Sequence, residues 1–190
     1  MKADGESLNR FPATILFCAT LGAWAFTSQA AEDHRKLTMQ LSSTAFAEGA
    51  PIPAKYTCDD KNLSPPLRWS GTPPGTKSIA LIVDDPDAPG GTWVHWVLFD
   101  APAQTQEFAQ DLPKTQYLPG GARQGLNGFK HLGYGGPCPP PGHPHRYFFK
   151  VYALDTMLGL KPGATKGEVE RAMTGHILGE GQLMATYKRK

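Results

Sequence analysis

Two stretches of the sequence combine ligand-binding side chains with loops that restrict the backbone. In the first, a turn rich in carboxylates leads into an apolar run that carries an imidazole. Its polar members are Asp84, Asp85, Asp87 and His95. The second is a Gly- and Pro-rich loop that leads into another apolar run. Its members include Gly135, Gly136, Pro137, Cys138, His143, His145 and Tyr147. Because such loops hold side chains at a strand end with little conformational freedom, they favour a preformed binding site.

Three chemistries are open to these residues. Backbone amides around Gly135 and Gly136 could bind an anion without any basic side chain. A zinc or manganese site is a competitor, because enough donors are present although none has a recognised spacing. These donors are Asp85, Asp87, His95, His143 and His145. Phosphoester hydrolysis by a carboxylate–histidine pair is the third, but the sequence offers neither a Gly-x-Ser-x-Gly nucleophile nor a cysteine in a known nucleophile context. The residue types alone leave these alternatives open, although catalysis has the least support.

The elements that must position these residues are mainly β-strands. Residues 78–83 form a β-branched apolar run that stops at a turn, and residues 92–99 resume as a central strand. Alternation along this strand predicts one face with Trp93, His95, Val97 and Phe99. Along residues 147–154 and the residues just before them, it predicts a second face with His145, Tyr147, Phe149 and Val151.

One helix is also expected. Thr165 and Glu168 have the spacing of a capping box, which marks a helix start. Apolar residues at helical spacing then extend the predicted helix past Met173 to Ile177, and Gly179 ends it.

The first thirty residues have the pattern of a secretory signal peptide. Lys2 and Arg10 precede an apolar stretch over residues 11–26, and Ser28 and Ala30 place small residues at positions −3 and −1 of a cleavage site. The sequence thus predicts a signal peptide over residues 1–30, a single domain over 31–190, and a periplasmic or secreted mature protein. A buried N-terminal strand or helix is the alternative for this segment.

The predicted cleavage decides which cysteines remain in the mature protein. Cleavage would remove Cys18 and leave Cys58 and Cys138. An even pair in an exported chain predicts a disulfide, and two buried free thiols are the alternative.

The composition limits the classes of partner that we expect for this protein. Hydrophobic residues make up 40% of the 190 residues, charged residues 19%, and the net charge is only +2, which argues against disorder. The sequence has no aromatic–basic ladder of the kind that single-stranded nucleic acid needs, and its apolar stretch is short for a bilayer. We therefore expect no nucleic acid partner and no stable membrane anchor. The four Trp and six Tyr suit a homodimer surface as well as a core.

Several motifs, in order along the chain, resemble the phosphatidylethanolamine-binding protein family. They are Asp-Pro-Asp-Ala-Pro at residues 85–89, Trp-Val-His-Trp at 93–96, Gly-Tyr-Gly-Gly-Pro-Cys-Pro-Pro at 133–140 and His-Arg-Tyr at 145–147. Flanking residues 58–59, 62–65 and 175–178 look like the bacterial Raf-kinase-inhibitor-like branch of that family. The resemblance runs from near Leu37 to the C-terminus.

The resemblance implies a mainly β, two-sheet fold, with a larger antiparallel sheet, a smaller sheet and few helices. It also implies a shallow pocket that accepts phosphate, acetate, cacodylate or a phospholipid head group. Carried over position by position, the pocket would be lined by Asp85, His95, His145 and Tyr147. Its rim would be Ala88, Pro89, Gly136 and Pro137, and Trp93 would form a wall.

The function implied is non-enzymatic binding of a small anion or phosphorylated molecule, with no catalytic residue, no resident metal and no cofactor. Such binding could influence a protein partner. Inhibition of a protease or another enzyme through a surface loop is the alternative, followed by a phosphoesterase or a metal-binding protein. Raf inhibition does not follow from a family resemblance, because function depends on the site and not on the fold.

Overall fold

The computed structural model describes residues 36–189, so the predicted signal peptide over residues 1–30 lies outside the described part of the chain. The strands in chain order are β1 (Leu37–Thr38), β2 (Gln40–Ser42), β3 (Leu67–Ser70), β4 (Ser78–Asp85), β5 (Trp93–Pro102), β6 (Glu107–Phe108), β7 (Arg123–Gln124), β8 (His145–Leu154) and β9 (Ile177–Tyr187). A short 3₁₀ helix spans Ala54–Tyr56, and one α-helix, α1, spans Lys166–Met173. No helix within residues 36–189 is both long and apolar enough to cross a membrane.

The strands form two sheets. Six of them make a large sheet in the order β1-β9-β8-β4-β5-β7, and three make a small antiparallel sheet in the order β2-β3-β6. In the large sheet every pair is antiparallel except β1 with β9 at one edge. The predicted mainly β, two-sheet fold with few helices is therefore confirmed, and the larger sheet is mixed rather than purely antiparallel.

Apolar clusters cover both faces of the large sheet. Because side chains alternate across a strand, β4 sends Leu81 into one cluster and Ile82 into the other. The first cluster includes Trp69 of the small sheet and thus fills the space between the sheets. The second includes Val169 of α1. Burial on both faces explains why the sequence of β4 is continuously apolar instead of alternating.

Strand β5 contains a β-bulge at His95. Its pairing with β4 runs from Val83–Trp96 directly to Asp84–Val94, so His95 is the extra residue. A bulge inserts one residue into one strand and shifts the alternation of side chains on either side of it.

The bulge overturns part of the predicted face of β5. Val97 and Phe99 pack into the cluster on the helix side. His95 instead packs against Tyr147, which belongs to the cluster between the sheets, with ring centroids 5.1 Å apart. The prediction that His95, Val97 and Phe99 share a face is therefore wrong, since strict alternation fails where a residue is inserted.

The predicted start of α1 is confirmed and its predicted end is wrong. The Thr165 hydroxyl accepts from the Glu168 N–H at 3.4 Å, and the Glu168 carboxylate accepts from the Thr165 N–H at 2.8 Å, which completes the capping box. The helix stops at Met173 and does not continue to Gly179. Gly175 adopts φ +83°, in the left-handed region, and Ile177 begins β9.

Candidate functional site

A cavity of about 190 Å³ lies where β4 ends and β5 and β8 begin, at one end of the central strands of the large sheet. Its lining residues are Asp85, Ala88, Pro89, Trp93, His95, Phe129, Cys138, Pro139, Pro140 and His145. The structure thus brings together most of the residues that the sequence places at a pocket. Three of those predicted residues, Gly136, Pro137 and Tyr147, are not among the lining residues.

Asp85 holds His145 in a fixed orientation. The His145 Nδ1 lies 2.8 Å from Asp85 Oδ2, and both side chains are buried. Asp85 Oδ1 accepts the backbone N–H of Asp87 at 2.8 Å, which closes the turn after β4. Because a carboxylate only accepts hydrogen bonds, the proton of His145 lies on Nδ1. The Nε2 atom of His145 therefore remains for the cavity.

His95 is fixed in the same way by a carbonyl group. Its Nδ1 lies 2.6 Å from the Gly135 oxygen, and a carbonyl cannot donate, so this nitrogen carries the proton. The Gly135 N–H donates in turn to the His95 backbone oxygen at 2.8 Å. Burial lowers the pKa of His95 below its ordinary value of 6.5, against the opposing effects of the Gly135 carbonyl and the Asp85 carboxylate. His95 is thus neutral at pH 7, and its Nε2 is a hydrogen-bond acceptor.

Tyr147 packs against His95. Its side chain is fully buried, its ring meets the His95 ring edge to face, and its hydroxyl has no hydrogen-bond partner among residues 36–189. Burial raises the pKa of Tyr147 well above its usual range, and the Asp85 carboxylate adds to this by its charge and as a nearby acceptor whose geometry falls short of a hydrogen bond, so the hydroxyl stays protonated. A buried hydroxyl without a partner is unfavourable, and a ligand or a bound water would satisfy it.

The loop over residues 133–140 forms one wall of the cavity and is tied to the segment over residues 56–62. The Tyr134 hydroxyl donates to the Tyr56 oxygen at 2.8 Å, and the Cys58 N–H donates to the Pro137 oxygen at 3.0 Å. The predicted disulfide between Cys58 and Cys138 is present, with the Cα atoms 5.4 Å apart. The disulfide and these hydrogen bonds fix Cys138 and the prolines after it in the lining.

The predicted role of the Gly136 amide differs from what the structure shows. Its N–H donates to Asn62 Oδ1 at 2.7 Å, and the Gly135 N–H is likewise bonded within the protein. A Cβ at Gly136 would meet the Tyr56 oxygen and the Asn62 side chain, so glycine is required by close packing. Both amides stabilise the loop, and neither is turned toward the cavity.

Two partly exposed aromatic rings form the mouth of the cavity. Trp93 and Phe129 pack edge to face with centroids 5.3 Å apart, and they are 40% and 38% exposed. Asn127 positions Phe129, because its Oδ1 accepts the Phe129 N–H at 2.9 Å while its Nδ2 donates to the Gly133 oxygen at 3.0 Å. Phe129 is a lining residue that the sequence analysis missed. The only local signal for it was an aromatic residue inside a long Gly-rich loop.

The outer rim carries an ion pair. Arg146 makes a bidentate contact with Asp87, with Nε to Oδ2 at 2.9 Å and Nη2 to Oδ1 at 2.7 Å. This hydrogen bonding lowers the pKa of Asp87 from 3.8 to about 2. The positive charge of Arg146 is therefore already matched at the rim.

A second, larger cleft of about 590 Å³ lies against the outer face of β8 and β9. Its cation Lys150 donates to the buried Asp84 carboxylate at 3.0 Å, and its anion Glu180 pairs with Lys36 at 3.5 Å. With both charges matched, this cleft offers no group that points to a ligand. Within residues 36–189 there is also no group of three or more His, Cys, Asp or Glu side chains placed to hold a metal ion.

Fold and site together define a class of protein with two β-sheets and a small cavity at the ends of central strands, lined by two fixed histidines. Residues 42–188 match the family model described as phosphatidylethanolamine-binding protein. This chain belongs to the phosphatidylethanolamine-binding protein family.

Individual relatives support that assignment. The chain is 52% identical to the UPF0098 protein of Methanothermobacter thermautotrophicus over 151 residues, which covers 80% of this chain and 99% of the relative. Among solved structures, a phosphatidylethanolamine-binding protein homologue from Chlamydia trachomatis matches with a TM-score of 0.74 and 41% identity, over 80% of this chain and 99% of that one. Escherichia coli YbcL, described as a new member of the mammalian PEBP family, matches with a TM-score of 0.74 and 34% identity, at the same coverage of both chains.

Proposed function

We propose that this chain is a non-enzymatic binding protein that holds a small anion or phosphorylated molecule in the cavity of Asp85, His95 and His145. The observation that carries the proposal is the Tyr147 hydroxyl, which is fully buried and unpartnered among residues 36–189. A ligand oxygen that reached past the two imidazoles would accept its proton. That bond would satisfy a donor whose burial is otherwise unfavourable.

The surroundings support a small polar ligand. The cavity is narrow, and the exposed rings of Trp93 and Phe129 at its mouth reduce the access of water. Polar contacts are stronger where water is excluded. Both oxygens of Asp85 accept hydrogen bonds, from His145 and from the backbone N–H of Asp87, so the carboxylate has partners within the protein.

Binding without turnover fits the lining of the cavity. The lining residues include no serine, threonine or lysine, and the one cysteine, Cys138, is held in a disulfide. The pair of Asp85 and His145 could act as a base, but the lining offers no free hydroxyl, thiol or amine side chain for it to activate.

The proposal places the mature protein in the periplasm or outside the cell, after cleavage at Ala30. The disulfide between Cys58 and Cys138 supports this location, because such bonds persist in oxidising compartments. A ligand held there could alter the contacts of the cavity mouth with a partner protein.

The test is an NMR titration of the folded protein with inorganic phosphate and with phosphoethanolamine. We expect the ring signals of His95 and His145 to shift on saturation. Tyr147→Phe should weaken binding about tenfold or more, the typical effect of one hydrogen bond to a charged group. The matched control is Tyr134→Phe, since Tyr134 is a buried tyrosine whose hydroxyl is bonded to Tyr56. If saturating ligand moved neither histidine signal in the folded protein, the proposal would fail.

A further inference from the structure

We infer that the disulfide between Cys58 and Cys138 makes ligand binding in the cavity depend on redox state, because it holds one wall of the cavity in place. This inference rests on the proposed function and concerns the regulation of the same site. Three consecutive residues of the lining, Cys138, Pro139 and Pro140, form this wall. They begin a stretch over residues 138–143 that we call the proline segment.

The proline segment has no hydrogen bond to the rest of the described chain. No group of residues 138–143 donates to or accepts from another residue within 36–189. Its three prolines have no N–H to donate, and all but its first two residues are exposed. The segment packs through Pro139, which is buried, and through His143, which stacks on His145 with ring centroids 5.3 Å apart. Within the described residues, the disulfide is therefore the one bond that ties this segment to another part of the fold.

The residues on either side of the disulfide are held independently of it. Just before the proline segment, the Pro137 oxygen accepts from the Cys58 N–H at 3.0 Å. Next to Cys58, the Asp59 carboxylate accepts from the Tyr187 hydroxyl at 2.7 Å, which ties this region to β9. Reduction breaks neither bond. It therefore releases Cys138 and the prolines after it, while the segment that carries Cys58 stays in place.

The disulfide can be reached by a dithiol, because both cysteines are partly exposed. One thiolate of the dithiol attacks a sulfur of the disulfide and forms a mixed disulfide, and the second thiol of the reagent then displaces the protein sulfur. Two electrons pass to the protein, and the two protons of the dithiol end on Cys58 and Cys138. The dithiol leaves as a cyclic disulfide.

Release of Cys138 changes the wall of the cavity. Because the proline ring fixes φ, the segment is stiff, and Pro139 and Pro140 move together with Cys138. The reduced protein must order this wall whenever it binds a ligand, and that loss of conformational entropy lowers the affinity. In a reducing cytoplasm the chain therefore holds its ligand weakly. Tight binding begins when the disulfide forms in an oxidising compartment.

The test is a calorimetric titration with inorganic phosphate of the folded protein, with its disulfide intact and after reduction with dithiothreitol. We expect reduction to weaken phosphate binding about tenfold or more, the effect of ordering the backbone of one residue. The NMR signals of β4 and β8 should stay in place on reduction. The amides of Gly142 and His143 should become more mobile, as nitrogen relaxation measures.

Cys58→Ala is the matched variant. Cys58 does not line the cavity, so this change removes the tether and leaves the Cys138 side chain in the wall. In dithiothreitol, its phosphate affinity should equal that of the reduced wild type, and more dithiothreitol should not change it.

A second readout needs no variant. Because coupling between two equilibria is reciprocal, phosphate must favour the oxidised protein by the same factor by which oxidation favours phosphate binding. In a buffer of oxidised and reduced dithiothreitol, saturating phosphate should thus raise the ratio of oxidised to reduced protein about tenfold or more.

The outcomes separate the two proposals. Equal phosphate affinity of the oxidised and the reduced folded protein would overturn this inference and leave the proposed function standing. Unfolding of the sheets on reduction would also overturn it, because the disulfide would then hold the fold and not the wall. If neither phosphate nor phosphoethanolamine bound to the oxidised protein, both proposals would be overturned.

Discussion

At the residue scale, two buried tyrosines have hydroxyls in opposite states. The Tyr134 hydroxyl donates to the Tyr56 oxygen at 2.8 Å, while the Tyr147 hydroxyl has no partner within residues 36–189. Removing a satisfied hydroxyl loses a hydrogen bond, whereas removing an unsatisfied one relieves the cost of its burial. We therefore predict that Tyr134→Phe lowers the free energy of unfolding by about 1 kcal/mol, and that Tyr147→Phe raises it by about the same amount.

Urea unfolding in a buffer free of phosphate and sulfate measures both changes. Added phosphate should then stabilise the wild type and Tyr134→Phe more than Tyr147→Phe, because a ligand stabilises only the folded state that binds it. A destabilised Tyr147→Phe protein in ligand-free buffer would show that its hydroxyl has a partner after all.

His95 makes the free energy of unfolding depend on pH. Its pKa is lowered by burial in the folded state, so the unfolded chain takes up the proton first as the pH falls. The unfolded state is thus favoured progressively below the ordinary pKa of 6.5. We predict that the urea midpoint decreases between pH 7 and pH 5, and that the decrease is smaller in His95→Gln.

The rim carboxylate titrates in a separate range. The pKa of Asp87 is lowered from 3.8 to about 2 by Arg146, so its stabilising contribution is present above pH 3.8 and lost as the pH falls toward 2. Asp87→Asn should therefore leave the slope between pH 7 and pH 5 unchanged. If His95→Gln left that slope unchanged as well, the assignment of the acid effect to His95 would be wrong.

At the element scale, local signals predicted elements well and long-range contacts poorly. In β8 the predicted face of His145, Tyr147 and Phe149 is buried as expected, because that strand pairs without a break in this region. The capping box also marked the start of α1 correctly, because its two partners lie only three residues apart.

The wrong predictions concern contacts between residues that are distant in the sequence. The bulge at His95 depends on how β5 pairs with β4, and alternation along one strand does not report the pairing. The use of the Gly136 amide depends on Asn62, which is 74 residues away in the chain. Sequence spacing could assign a residue type to the cavity, but it could not predict which group its backbone contacts.

The loop over residues 133–140 provides a prediction at this scale. A Cβ at Gly136 would collide with the Tyr56 backbone and displace Asn62, whereas a Cβ at Gly90 meets nothing within 4 Å. We predict that Gly136→Ala lowers the free energy of unfolding by about 1–3 kcal/mol through overpacking, and that Gly90→Ala changes it little.

Thermal or urea unfolding of the two variants checks this difference, and phosphate titration shows its effect on the cavity. Gly136→Ala should weaken binding because the wall formed by Cys138 shifts. If Gly136→Ala were as stable as Gly90→Ala and bound phosphate normally, the loop would be more adaptable than its contacts indicate.

At the scale of the whole molecule, one covalent bond joins two distant segments beside the cavity. Cys58 and Cys138 are 80 residues apart, and in the chain-entropy model a closed loop of this size stabilises the fold by about 4–5 kcal/mol. Typical domains are stable by only about 5–15 kcal/mol, so a large share of the stability would depend on an oxidising compartment. Export would thus determine both where the protein lies and how stable it is.

We therefore predict that the exported protein begins at Ala31 and contains no free thiol, as intact mass and alkylation of a periplasmic fraction would show. Ala30→Phe should block cleavage because position −1 needs a small residue, and Gln29→Phe is the neighbouring control.

A variant that lacks residues 1–30 and is retained in the reducing cytoplasm should carry two free thiols. Its urea midpoint should be lower than that of the exported protein and equal to that of the double variant Cys58→Ala, Cys138→Ala. Oxidation should restore the wild-type midpoint. Two free thiols in the periplasmic protein would contradict the link between export and stability.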